Sequence, residues 1–526
     1  MKKFKRILSI VLAMTMVLAM GVTAFAADTT ITVPATDDHE YEVYQIFTGD
    51  LADGVLSNVK WGKNGTGTEG DLVDQTTLDT IMGLKDLNES ARAEALKGYV
   101  ADGAAYKTVS KAAAITVPTG YYLLKDKNAP AENEEATLYI VQVVGPTTVT
   151  RKASSTDSDK KVDDVNDSDT SVAADNGKNQ TSSDYDIGDD VPYHVSATAS
   201  ESVHRFHKYH ITLEDILESG KFDAIGTLTI KVGSDTMTAG QTIDKGAYTI
   251  TLKEDTAPTK DGFKYTVEWA AKETDASKDA YYLPDTLNKT EITIDFTAKL
   301  GQGAAIGAEG NKNTLKVKYS NNPNDKDGGE EGTTPDKVVI TFTYKVVVDK
   351  ITKENGVDKA LEGAQFVLYK IPANTAEPTG DDAKDAAAKN AYYAGKAIQT
   401  WTTTAEDGKE AGKKNRFSFK GVDDGTYVLC ETVTPAGYNS IDPQVFTVTA
   451  THDGVELTDL NGNKVTGDIT FTPDVSAGSL STDVLNNKGA TLPSTGGMGT
   501  TIFYIVGAML AVGAAVILVT KKRMNG

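Results

Sequence analysis

Three observations predict a mainly β chain built from tandem β-sandwich domains. Apolar and polar residues alternate in short runs along most of the sequence, as in Tyr41-Glu42-Val43-Tyr44, Tyr265-Thr266-Val267-Glu268-Trp269 and Leu315-Lys316-Val317-Lys318-Tyr319, and a period of two is the signature of a half-buried strand. Glycine is abundant (47) and tryptophan scarce (3), which suits many short strands joined by turns. At 526 residues the length points to three or four domains.

The two ends are set apart by composition. Residues 1–26 carry Lys2, Lys3, Lys5 and Arg6, then an apolar stretch over 7–20, then Ala24-Phe25-Ala26. Basic start, short apolar core and small residues at the cleavage positions describe a secretory signal peptide that is removed. Near the other end stands Leu492-Pro493-Ser494-Thr495-Gly496, followed by an apolar run over 502–519 and by Lys521-Lys522-Arg523. At about 1.5 Å per residue a helix over 502–519 roughly spans the hydrocarbon core of a bilayer, with the basic tail held on the cytoplasmic side. Pro493 and Gly496 keep the pentapeptide extended and open to a processing enzyme. This order resembles the sortase cell-wall sorting signal of Gram-positive bacteria. The resemblance implies cleavage between Thr495 and Gly496, with Thr495 carried onto an amine, and makes 489–526 a sorting signal with a transmembrane helix.

The formal charge is −21, from 53 basic and 74 acidic residues. Without the two basic ends, 46 basic residues face 74 acidic ones, a balance near −28. Such a chain repels nucleic acid and anionic lipid. Cys430 is the only cysteine, so no intrachain disulfide can form, although an exported chain meets oxidising surroundings.

Between the ends the strand pattern falls into three blocks. Residues 27–150 alternate as strands, interrupted over 78–99, where Leu78, Ile81, Leu84 and Leu87 recur at helical spacing. The segments HEYEVYQIFTGDL and LYIVQVVGP in this block resemble the N-terminal domain of Gram-positive backbone pilins. Residues 151–347 open on a Ser- and Asp-rich linker; DYDIGDDVPYHVSATA and VKYSNNPN resemble the fimbrial isopeptide-forming D2 domain. Residues 338–348 read as one strand running into the third block, 348–488. There VVVDKITKENG, LEGAQFVLYK and GTYVLCETVTPAGY resemble the Cna-B-type immunoglobulin-like module, and the Ala- and Lys-rich stretch 371–395 reads as a helical or mobile insertion.

In the third block, strand phase predicts a polar trio inside an apolar sandwich. Lys350 is in phase with Val346 and Val348, Asn486 with Val484, and Glu431 with Tyr427 and Leu429. Burial disfavours charge, lowering the pKa of a lysine and raising that of a glutamate. The lysine becomes a nucleophilic amine, and the acid can polarise the Asn amide and shuttle protons. Attack on the amide carbon would expel ammonia and leave a Lys–Asn isopeptide bond, with proximity supplied by the fold. The Cna-B resemblance at Tyr427, Leu429, Glu431, Thr432, Pro435, Gly437 and Tyr438 implies the same roles for Lys350, Asn486 and Glu431. Asn487 is the register alternative to Asn486.

The second block repeats the pattern. Lys160 is in phase with Val162, Asn321 with Leu315, Val317 and Tyr319, and Asp215 with Ile211 and Leu213. A Lys160–Asn321 bond with Asp215 as the acid is expected. Lys161, Asn322 and Glu214 are one-residue slips that would turn each group to the opposite face, and Glu268 is a rival acid. A link between strands far apart in sequence constrains the unfolded chain as a disulfide does, and cannot be reduced.

Lys152 lies at the first junction, where backbone pilins carry the lysine that accepts the next subunit. Arg151 stands where that motif has proline. His204, His207 and His210 lack the partners of a zinc motif. Residues 164–169, Asp-Val-Asn-Asp-Ser-Asp, lack the glycine and glutamate of a calcium loop and read as an ordinary acidic loop. No phosphate-binding loop, hydrolase elbow or Cys–His pair is present, so no cofactor, no metal and no enzyme activity beyond bond formation within the chain are expected. The resemblances imply the major subunit of a covalently polymerised surface pilus. Its partners would be a sortase, neighbouring pilin subunits, peptidoglycan and a host or bacterial surface ligand. A wall-anchored adhesin or minor pilin that is never polymerised is the alternative.

Overall fold

The computed structural model describes residues 28–489, 504–512 and 514, apart from 53–54, 88, 144, 152, 170–176, 239–241, 260–261, 273–282, 326 and 404–413. The signal peptide (1–26), the pentapeptide (492–496) and Lys152 lie outside the described residues. Of the apolar run 502–519, residues 504–512 are helical and exposed; among the described residues no helix is long and apolar enough to cross a membrane.

The chain is mainly β. In its first part, strand Tyr41–Ala52 lies between Val55–Trp61 and Gly120–Asp126, with Ile140–Val143 beyond, and Asp28–Thr32 sits between Ala114–Pro118 and Thr147–Thr148 in a small second sheet. The helical spacing over 78–99 becomes two helices, Gln75–Gly83 and Glu89–Lys97. Asp74 caps the first, its carboxylate accepting from Thr77 N at 2.9 Å. The helices press Ile81 and Leu96 onto Ile46, Phe47 and Leu123.

Two facing sheets follow. One contains Asp157–Val162, Asp190–Thr198 and Glu291–Leu300; the other contains His210–Leu217, Gly262–Ala271, Asn311–Ser320, Lys337–Phe342 and Ser182–Asp184. Burial alternates strictly along Asp190–Thr198 and His210–Leu217, so the inward residues build a core that includes Tyr193, Tyr265, Trp269 and Phe296.

The run 338–348 is not one strand. It breaks at buried Thr343, between Lys337–Phe342 of the second sandwich and Tyr344–Glu354 of the third. The third sandwich packs a sheet of Val357–Ala360, Tyr344–Glu354, Ser479–Leu485, Phe471–Asp474 and Arg416–Val422 against one of Gln399–Thr403, Gln365–Ile371, Gly425–Val433, Gln444–Asp453 and Glu456–Thr466. Its first and last strands lie side by side and parallel, with Lys350 opposite Val484. The insertion at 371–395 is helical: Asp385 caps helix Ala386–Ala394, and Tyr393 packs on Ile371, Val428 and Cys430.

The second and third sandwiches meet backbone to backbone. Gly307 and Gly478 both have positive φ, 88° and 57°, and a Cβ on Gly478 would land on the Gly307 backbone. Only glycine satisfies both the left-handed backbone and the close approach. Gly478→Val is therefore expected to cost about 1–3 kcal/mol from backbone strain, with a further cost from the clash. Limited trypsin digestion and thermal unfolding would detect it; an unchanged melting profile would contradict this reading of the contact.

Candidate functional site

The strand phase that carries Val346 and Val348 inward carries Lys350 with them, and the same holds for Asn486 and Glu431 across the sandwich. Lys350 Nζ donates to Asn486 Oδ1 and, at 3.0 Å, to Val484 O. Asn486 Nδ2 donates to Glu431 Oε1 at 2.9 Å and Oε2 at 3.1 Å. Lys350 Nζ stands 3.6 Å from Glu431 Oε1, and neither side chain reaches solvent. Thr434 Oγ1 fixes the carboxylate with a 2.9 Å hydrogen bond. Burial pushes the Lys350 amine down to about 8, against the opposing pull of Glu431. Asn487, the register alternative, is exposed. Amine, amide and carboxyl are thus held in contact with water excluded, which is what transamidation requires.

In the second sandwich the structure brings Lys160 and Asp215 together: Lys160 Nζ donates to Asp215 Oδ2, with both side chains fully buried. Burial favours the uncharged form of each, lowering the lysine and raising the aspartate. Asn321 does not join them. Asp215 pairs with Leu315, and Asn321 lies six residues further along, roughly 20 Å at strand rise. There its backbone carbonyl accepts from Ala136 N of the first part of the chain. The residue at the right end of the same face is Asn313. It pairs with Leu217, two residues from Asp215, it is fully buried, and it helps to hold the Asp215 charge. Its own amide N and O nevertheless make no hydrogen bond of ordinary geometry. Glu268, the rival acid, is on the partly exposed face, and Glu214 pairs with Lys264 at the surface, 2.8 Å away.

A third buried lysine was missed at the sequence level. Lys370, fully buried, donates to Asp423 and to Asp186 (2.9 Å) and pairs with Asp167. Two of these acids belong to the second sandwich. Burial alone would lower this lysine, but Asp423, Asp186 and Asp167 outweigh it and hold the ammonium above the ordinary range. Lys370 therefore acts as a cation and not as a nucleophile. Its inward phase with Phe366 and Leu368 was the available signal. The three histidines do not gather: His204 pairs with Asn288 and His210 with Glu331.

These features describe a protein of tandem β-sandwiches with polar side chains sealed in their cores. Residues 347–464 match the prealbumin-like fold domain family SpaA, and residues 485–526 match the LPXTG cell wall anchor motif; the chain is a wall-anchored surface protein. It is similar to the trypsin-resistant surface T6 protein of Streptococcus pyogenes serotype M6, 24% identical over 337 residues. That match covers 55% of this chain and 60% of the relative, so the chain spans less than two thirds of the curated protein it matches. Among solved structures, the T6 backbone pilin of serotype M6 S. pyogenes aligns with 15% identity and a TM-score of 0.49, covering 88% of this chain and 98% of that one. The full-length major pilin SpaD from Corynebacterium diphtheriae aligns with 15% identity and a TM-score of 0.46, covering 90% and 99%.

Proposed function

We propose that this chain is the backbone subunit of a covalently assembled surface pilus, welded internally by isopeptide bonds. The observation that carries this reading is the sealed contact among Lys350, Asn486 and Glu431. The neutral Lys350 amine attacks Asn486 Cγ. The Glu431 carboxyl, already on the Nδ2 side of the amide, takes the proton released by the amine and delivers it to Nδ2. The Cγ–Nδ2 bond breaks, ammonia leaves, and the Nζ–Cγ bond remains. In the second sandwich Lys160 and Asp215 take the same roles, with Asn313 in place of Asn321 as the amide partner.

Assembly then uses the other end of the chain. A sortase cleaves after Thr495 and transfers its carbonyl to a lysine of a neighbouring copy, Lys152, with the last copy passed to peptidoglycan. Arg151, which stands beside that lysine in place of the usual proline, pairs with Glu134 at 2.8 Å.

The test is the polymer itself. Wall extracts boiled in detergent are expected to give a high-mass ladder that collapses to monomer in Lys152→Ala. A single band from the unmodified protein would favour a non-polymerised adhesin. A ladder that persists in Lys152→Ala would move the acceptor elsewhere.

A further inference from the structure

The junction between the second and third sandwiches buries more negative charge than its one lysine neutralises. Asp164 and Asp184 enter from the second sandwich, Asp423 and Asp424 from the third. The carboxylate oxygens of Asp184, Asp423 and Asp424 all lie within 4.8 Å of one another. Asp184 is 3% exposed and Asp423 1%.

Lys370 faces Asp167, Asp186 and one oxygen of Asp423, Oδ1. The other oxygen of Asp423, Oδ2, is buried with no hydrogen-bond partner, and so is Asp184 Oδ2. Tyr344 lies beside Asp184, yet its hydroxyl too has no partner of hydrogen-bonding geometry. Leaving two carboxylate oxygens unpaired in a dry interface is costly. A coordinated cation removes that cost.

We propose that Asp184, Asp423 and Asp424 bind a divalent cation through carboxylate oxygens and thereby fasten the second sandwich to the third. The ligand set is all oxygen and carries three formal negative charges, which suits a hard ion such as calcium, with waters completing its shell. Asp164 stands at the edge of the group, with Oδ1 accepting from Asp184 N at 3.0 Å and Oδ2 3.5 Å from His452 Nε2.

The experiment uses the full-length chain in detergent, stripped with chelator and titrated with CaCl2 by calorimetry. Saturable binding of one ion per chain is expected, with an upward shift in melting temperature. Asp184→Asn combined with Asp424→Asn should weaken binding at least tenfold, while Asp189→Asn, beside Asp186 but outside the proposed set, should leave it unchanged. If the double variant does not fold by circular dichroism, Asp424→Asn alone, at the partly exposed ligand, is expected to give the same loss. No saturable binding of calcium or magnesium up to about 10 mM, roughly ten times the weak end of extracellular calcium sites, would overturn the proposal. Binding lost in Asp189→Asn but kept in the double variant would also overturn it. So would tight zinc binding without calcium binding, which would place an ion on His452, Asp164 and Asp184 instead.

Discussion

Glu431→Gln is expected to give a folded third sandwich without its internal bond. The substitution keeps the shape and the acceptor oxygen that holds Asn486 Nδ2, but removes the group that moves the proton. The intact mass should rise by about 16 Da relative to the unmodified protein, about 17 for one retained ammonia less about 1 for the change of Glu to Gln. Stability should fall by roughly 4–5 kcal/mol, because Lys350 and Asn486 are 136 positions apart and a cross-link of that span removes a large unfolded-state entropy. Lys350→Ala would add a cavity and orphan the amide, so the glutamine variant isolates the bond more cleanly. If the glutamine variant retains no extra ammonia, Glu431 is not the proton carrier.

Asn313→Ala is expected to have an effect of similar size in the second sandwich, whereas Asn321→Ala should leave the mass deficit intact. Lys160 and Asn313 are even further apart in sequence, and the same entropy argument gives roughly 5 kcal/mol. Mass spectrometry of tryptic peptides decides the matter: a peptide joining Lys160 to Asn313 should appear in the unmodified protein and vanish in Asn313→Ala. A Lys160–Asn321 peptide would restore the sequence reading and refute the structural one.

The contrast between the two trios explains what was legible beforehand. In the third sandwich the inward phases of Lys350 and Glu431 each pointed to one residue, Asn486 had only its neighbour Asn487 as a rival, and the last strand ends at Leu485, just before both. In the second, Asn313 and Asn321 share one face of Asn311–Ser320 and its continuation, so phase alone could not choose between them. The choice depends on which end of the strand meets Asp215, a matter of register between distant segments. The helix pair over 75–97 was visible because its spacing is local. The break at Thr343 was not, since both halves are equally apolar and only their sheet partners differ. The Lys370 cluster was hidden for a related reason. Each aspartate looks solvated in its own segment, and the charge density arises only when two sandwiches dock. The acidic loop at 164–169 looked ordinary because Asp184, Asp423 and Asp424 are far from it in sequence.

The parallel pairing of the first and last strands of the third sandwich decides where tension travels. With the proposed Lys350–Asn486 bond in place, a pull along the proposed fibre would enter at Tyr344, pass along the strand to Lys350, cross to Asn486 and leave the domain. Everything between those two residues hangs beside that route as slack. The helix Ala386–Ala394 and the turns around it would therefore bear none of that load. Changes in their length or sequence would alter the exposed face of the module without altering how far it stretches.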